Sequence, residues 1–131
     1  MKERSAGGVI INNGKVVVVA QQWGTFSLPK GHIEGEETIL EGAYREIYEE
    51  TGLMKEDLVL VKKLDVYERP DLKTKKPKEI HLFLFKTKVT ELKPVDKDNP
   101  FAKWMDIKDV EEQLSIPEDK EFFLKIKYHL I

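Results

Sequence analysis

The sequence predicts an α/β domain with a mixed sheet, and three observations carry that reading. Apolar β-rich runs recur at 5–22, 58–68 and 79–89, interrupted by a capped amphipathic segment at 38–52, and a second amphipathic segment follows Pro117. With 131 residues and no repeat, linker or low-complexity stretch, residues 1–131 read as one domain, long enough to bury a core unaided by disulfides.

The first two strands come from SAGGVIINNGKVVVVAQQ, divided at Asn13-Gly14, where both residues tolerate positive φ and a hairpin can turn. Trp23 to Pro29 reads as a loop or short strand. Thr38 with Glu41 three residues on makes a capping box, and Gly52 suits the position just past the helix it opens. LVLVKKLDVYE (58–68) reads as one strand and RPDLKTKKPK as a polar loop. In EIHLFLFKTKV, Ile80, Leu82 and Leu84 alternate with His81, Phe83 and Phe85, as along a sheet strand. FAKWMDI is a further short strand, and Val110 with Leu114 marks a turn or two of helix. Pro117 then starts a helix with Phe122, Ile126 and Leu130 along one face.

Composition removes several function classes. Charged residues are 35% of the chain but the net charge is −2, which disfavours a nonspecific nucleic-acid binder. The absence of cysteine rules out a thiol nucleophile or a thiolate zinc site. The run from Val16 to Ala20 is too short to span a bilayer, and MKERSAGG lacks the apolar core of a secretory signal. The expectation is a soluble cytoplasmic protein, monomer or homodimer, with no membrane or stable nucleic-acid partner.

One segment carries too much negative charge in the wrong place. On a helix over 38–52, Leu40, Ala43 and Ile47 form the packing stripe, Glu46 and Glu50 border it, and Glu49 lies one turn from Glu46. Like charges at this spacing cost about 0.2–0.5 kcal/mol per pair, and the negative end of the helix dipole opposes them further. Two readings fit. The acids form a solvated face, with Arg45 pairing to Glu41 or Glu49. Alternatively they offer the hard oxygen ligands that magnesium or manganese requires.

Spacing adds to this. Gly31, Glu37, Arg45-Glu46-Ile47, Glu49-Glu50 and Gly52-Leu53 occupy every specified position of G-x5-E-x7-R-E-U-x-E-E-x-G-U, with U aliphatic. This resembles the Nudix box, and the chain is identified as a member of the Nudix hydrolase family. The resemblance implies an α/β/α sandwich that hydrolyses a nucleoside diphosphate linked to another moiety, a small-molecule nucleotide substrate. It further implies that Glu46, Glu49, Glu50 and the Lys30 carbonyl bind magnesium (manganese being an alternative), and that Glu37 and Arg45 organise the loop. Glu46 and Glu50 are candidate bases, and Asp98, before the short strand, is a third, set against a plain turn aspartate.

Flanking residues bear on the substrate. Leu28-Pro29-Lys30-Gly31-His32 is similar to the PKGH stretch of the diadenosine tetraphosphate hydrolase branch, and Trp23 fits the aromatic preceding it. On this resemblance Tyr67 would stack on adenine, while Lys30, His32 and Lys78 would contact phosphate and Arg4 a base or phosphate. A core role for Tyr67 and a solubilising role for the lysines at 73–78 are the plainer alternatives. A house-cleaning nucleoside triphosphate pyrophosphatase is the second functional reading, and a catalytically silent ligand sensor the third.

Overall fold

The computed structural model describes residues 2–20, 24–96 and 101–130. Its centre is a parallel pair, β1 (Glu3–Asn12) and β7 (Pro77–Lys86), in register from Glu3 opposite Lys78 to Ile11 opposite Lys86. The Asn13-Gly14 turn, with φ of 49° and 75°, returns the chain into β2 (Lys15–Ala20). β2 pairs antiparallel with β1, with β3 (Phe26–Ser27) and with β8 (Phe101–Asp106). At its other end β1 takes β4 (Lys30–His32) as an antiparallel neighbour. β5 (Val59–Lys63) and β6 (Tyr67–Pro70) both lie antiparallel to β7, completing one mixed eight-stranded sheet.

Strand alternation sends side chains into two separate cores. On one face Ala6, Ile10, Val17, Phe83 and Phe85 pack with Ala43 and Ile47 of α1 (Ile39–Thr51). On the other, Val9, Val18, Ile80, Leu82 and Leu84 meet Val110 of α2 (Ile107–Gln113) and Phe122 and Phe123 of α3 (Pro117–Ile126). The molecule is therefore an α/β/α sandwich, and a fully buried Phe or Ile in each layer contributes about 1.5–3 kcal/mol.

Several boundaries differ from the sequence reading, among them the end of the 79–89 run, where the strand stops at Lys86. Residues 58–68 form two strands because β5 and β6 pair with opposite ends of β7, with a register shift between Leu60 and Lys62. Leu64 turns into the core between them, its N–H donating to Leu82 O at 2.9 Å. The polar loop shrinks to 71–76, since Arg69-Pro70 and Pro77-Lys78 extend the ladder. The last helix ends at Ile126 and tightens into a 3₁₀ turn, Lys127–His129, before Leu130. Among the described residues no helix is long and apolar enough to cross a membrane.

Candidate metal and catalytic centre

The acids are presented by α1, whose two ends are both tied. Thr38 Oγ1 accepts from Glu41 N–H, and Glu41 Oε1 accepts from Thr38 N–H, closing the capping box. Gly52 ends the helix at φ 81°, and a Cβ there would lie 2.3 Å from Lys93 O. No basic residue occupies the last turn. Its carbonyls are met by a passing strap instead: Lys93 N–H donates to Thr51 O, and the N–H groups of Val95 and Asp96 both donate to Glu49 O.

Arg45 supplies the positive charge that this acidic surface lacks. Its Nε donates to Glu37 Oε2 at 2.6 Å and its Nη2 to Glu37 Oε1 at 3.1 Å, a two-pronged grip. Nη1 reaches Glu46 Oε1 at 2.8 Å and Glu49 Oε2 at 3.2 Å, while Nη2 also donates to the His32 carbonyl at 2.8 Å. One guanidinium thus ties helix, loop and β4 together, and those carboxylates hold it charged well above the usual arginine range. Glu37 is further fixed by Glu34 N–H, and its carboxyl is lowered chiefly by the bond from Arg45. Arg45 does not pair with Glu41, which is committed to the cap.

Glu50 sits deepest of the box acids, 1% exposed. Its Oε1 accepts from Lys30 N–H at 2.9 Å, while Oε2 has no hydrogen-bond partner among the described residues. Burial, then the Glu46 charge, pushes its carboxyl up to about 8. Glu46 is also raised, mainly by burial, against the pull of Arg45. Gly31 makes room for this pair: a Cβ there would fall 2.2 Å from Glu46 Cδ. Gly7, opposite Lys30, has the same reason to be glycine, since its Cβ would lie 1.9 Å from Pro29 O.

These residues fit a hard divalent cation. A buried carboxylate oxygen without a hydrogen-bond partner among the described residues, two neighbouring carboxyls that resist ionising together, and a third on the same turn form an all-oxygen donor set that the single Arg45 guanidinium only partly offsets. Asp96, on the strap, adds its charge to the field raising Glu50. Asp98 and Trp23 lie outside the described residues.

The remaining predicted site residues are placed elsewhere. Alternation along β4 puts Gly31 on the α1 face and sends the Lys30 side chain to the α3 face, opposite Gly7. There the side chain is 4% exposed, with Nζ 3.6 Å from Asp119 Oδ2, closed off from a ligand as a phosphate contact would not be. Tyr67 is likewise engaged by the protein: its ring stacks on Phe122 at 4.5 Å and its hydroxyl donates to Asp119 Oδ1. Lys78 is 7% exposed with Nζ 3.4 Å from Asp71 Oδ2, so it is no solubilising loop lysine. Only Lys73, Lys75 and Lys76 of that run are exposed. His32 keeps a half-exposed ring whose Nε2 is 3.5 Å from the same Asp71 oxygen. Arg4 is exposed but lies inside β1, not before it.

Sequence reasoning passed over Arg69, Asp71 and Asp119. Each is polar in a segment of ordinary composition, and only the fold buries them. Asp71 organises its loop by accepting from the N–H groups of Lys73 and Thr74, which hold its carboxyl well below the usual range. Glu3, His32 and Asp71 bring three ligand atoms within 4.8 Å, but the Lys78 ammonium already contacts Asp71 there.

The sequence model of the NUDIX domain family matches residues 1–126. The chain belongs to the NUDIX family. Among curated relatives it is 30% identical over 129 residues to the protein named mutator protein MutT4 of Mycobacterium tuberculosis, covering 90% of this chain and 52% of that one. It is 42% identical over 59 residues to the RNA pyrophosphohydrolase of Vibrio atlanticus, covering 44% of this chain and 34% of that one. The chain thus spans about half the length of the first relative and a third of the second. Among solved structures, this NUDIX domain is similar to the C. elegans Ap4A hydrolase in a binary complex, with TM-score 0.85 and 21% identity over 98% of this chain and 97% of that one. A bifunctional NMN adenylyltransferase/ADP ribose pyrophosphatase from Francisella tularensis, complexed with AMP and a manganese ion, gives 0.79 and 23% over 98% and 42%. At these identities the likeness to the solved structures is one of fold.

Proposed function

We propose that this NUDIX domain hydrolyses a pyrophosphate bond in a nucleoside diphosphate-linked substrate with magnesium or manganese, and that the substrate is a dinucleoside polyphosphate such as diadenosine tetraphosphate. The observation that carries the hydrolase reading is the buried Glu50 Oε2, without a hydrogen-bond partner among the described residues, beside Glu46 and Glu49 on a helix whose last turn holds no basic residue. Glu46, Glu49, Glu50 and the Lys30 carbonyl would hold the cation. When bound, it would offset the charge of the approaching pyrophosphate and polarise the attacked phosphorus.

The chain's own residues do the rest. Arg45 and Glu37 lock the loop to the helix, so that Glu46 is held against Gly31 in one place. Glu50, raised by burial in the metal-free chain, is a candidate to take the proton of an attacking water. Glu46 is the alternative. The carboxylates and Arg45 converge as a working site would, which weighs against a silent sensor.

The dinucleoside substrate rests on the PKGH stretch and on the fold likeness to an Ap4A hydrolase. With Tyr67 and Lys30 committed internally, base and phosphate contacts fall to exposed groups such as His32 and Arg4. A house-cleaning nucleoside triphosphate pyrophosphatase is favoured by a different observation, the 30% identity to a mutator protein. Incubation with magnesium and a panel of dinucleoside polyphosphates and nucleoside triphosphates, in labelled water, ranks the two and locates the attacked phosphorus. Faster turnover of triphosphates overturns the first reading. Tight binding without turnover of any of them would establish the sensor.

A further inference from the structure

Asp119 is completely buried in the first turn of α3, although an acid placed there only to complement a helix dipole has no need of burial. Glu118, its neighbour in the same turn, stays partly exposed. Asp119 accepts the Tyr67 hydroxyl, lies 3.7 Å from Arg69 Nε and 3.6 Å from Lys30 Nζ. Taking a carboxylate and two cations out of water costs several kcal/mol per ion before their attraction is counted, so mere packing is a poor reason for the trio.

Lys30 is where this cluster meets the acidic site. Its side chain belongs to the α3 face, but its N–H donates to Glu50 Oε1 and its neighbour Gly31 abuts the Glu46 carboxylate. β4 is only three residues long, held to β1 by the short ladder Ser5–Gly7. The Lys30–Asp119 ion pair is therefore a further anchor, and the one on the α3 side, for a short strand that touches two of the three proposed metal-binding carboxylates.

We propose that Asp119 is a positioning residue, acting through Lys30 across the sheet to set β4 against Glu46 and Glu50. The proposal rests on the metal platform proposed above. Without the Asp119 charge, Lys30 Nζ loses its partner at 3.6 Å and withdraws, and β4 shifts under the carboxylates.

The test is manganese binding to metal-free protein, followed by the electron paramagnetic resonance of free ion, together with steady-state kinetics. Asp119→Asn keeps an oxygen to accept from Tyr67 and removes the charge. The expected result is a roughly tenfold weaker manganese affinity and a similar loss of kcat, with KM within about twofold. Lys30→Met should give the same loss, and the double variant no more than either single, since both act through one contact. Lys30→Met also serves if Asp119→Asn does not fold. Manganese affinity within about twofold of wild type in either folded single variant overturns the proposal, as does an additive double. Glu49→Gln is the control. If it leaves manganese affinity unchanged, the metal platform itself is wrong. If it weakens binding while Asp119→Asn does not, only the role of Asp119 falls.

Discussion

The Lys30 N–H donates to Glu50 Oε1 at 2.9 Å, while the other Glu50 oxygen is buried with no hydrogen-bond partner among the described residues. A single backbone donor does not compensate a carboxylate removed from water, and burial pushes the group up to about 8. The acid is costly to the fold and useful to the site for the same reason.

Glu50→Gln should therefore separate stability from activity. The amide removes the charge that burial penalises, so metal-free protein should be as stable as wild type or more stable by on the order of 1 kcal/mol. Turnover should fall at least ten- to a hundredfold. Thermal melts with chelator and initial rates with magnesium check both halves.

The same carboxyl sets a pH dependence. Its folded value of about 8 lies above the ordinary 4.5, so between those values the folded chain holds more protons than the unfolded chain. Stability of metal-free protein should fall as pH rises through that window, and Glu46, also raised, adds in the same direction. Asp71 and Glu37 are lowered, and their contributions are lost on acidification below the ordinary carboxylate range. Melting temperature with chelator should thus peak under mildly acidic conditions. Added magnesium should restore stability most at the alkaline end, where it no longer competes with the Glu50 proton.

Arg45→Lys should behave as a severe change. An ammonium cannot reach Glu37, Glu46, Glu49 and the His32 carbonyl together as the guanidinium does. A loss of about 1–3 kcal/mol is expected in chemical denaturation, accompanied by reduced kcat.

Gly31→Ala probes the site with less damage to the fold. The added Cβ collides with the Glu46 carboxylate, the far end of a flexible side chain that can swing aside. Melting temperature should change little while the magnesium concentration for half-maximal activity rises severalfold. Gly7→Ala meets the Pro29 backbone instead and should lower stability markedly, as a melt would show.

Much of this was legible in the chain. The capping box at Thr38 and Glu41, the Asn13-Gly14 turn and the alternation of Ile80, Leu82 and Leu84 are local signals, each written in a few consecutive residues. The spacing from Gly31 to Leu53 is likewise local, and it placed Glu37, Arg45, Glu46, Glu49 and Glu50 in one loop and helix. Lys30, Tyr67 and Lys78 were different. Their types suit a phosphate or a base as well as a buried ion pair or an aromatic stack, and the choice belongs to neighbours distant in sequence.

The sequence by itself determined the α/β class, the capped acidic helix and, through the spacing of its box, the family, because periodicity and short-range spacing survive in one dimension. Tertiary structure alone decided that consecutive residues part company at β4, Gly31 toward Glu46 and the Lys30 side chain toward Asp119 on α3. A strand turns successive side chains to opposite faces, and what waits on each face is set by helices far along the chain.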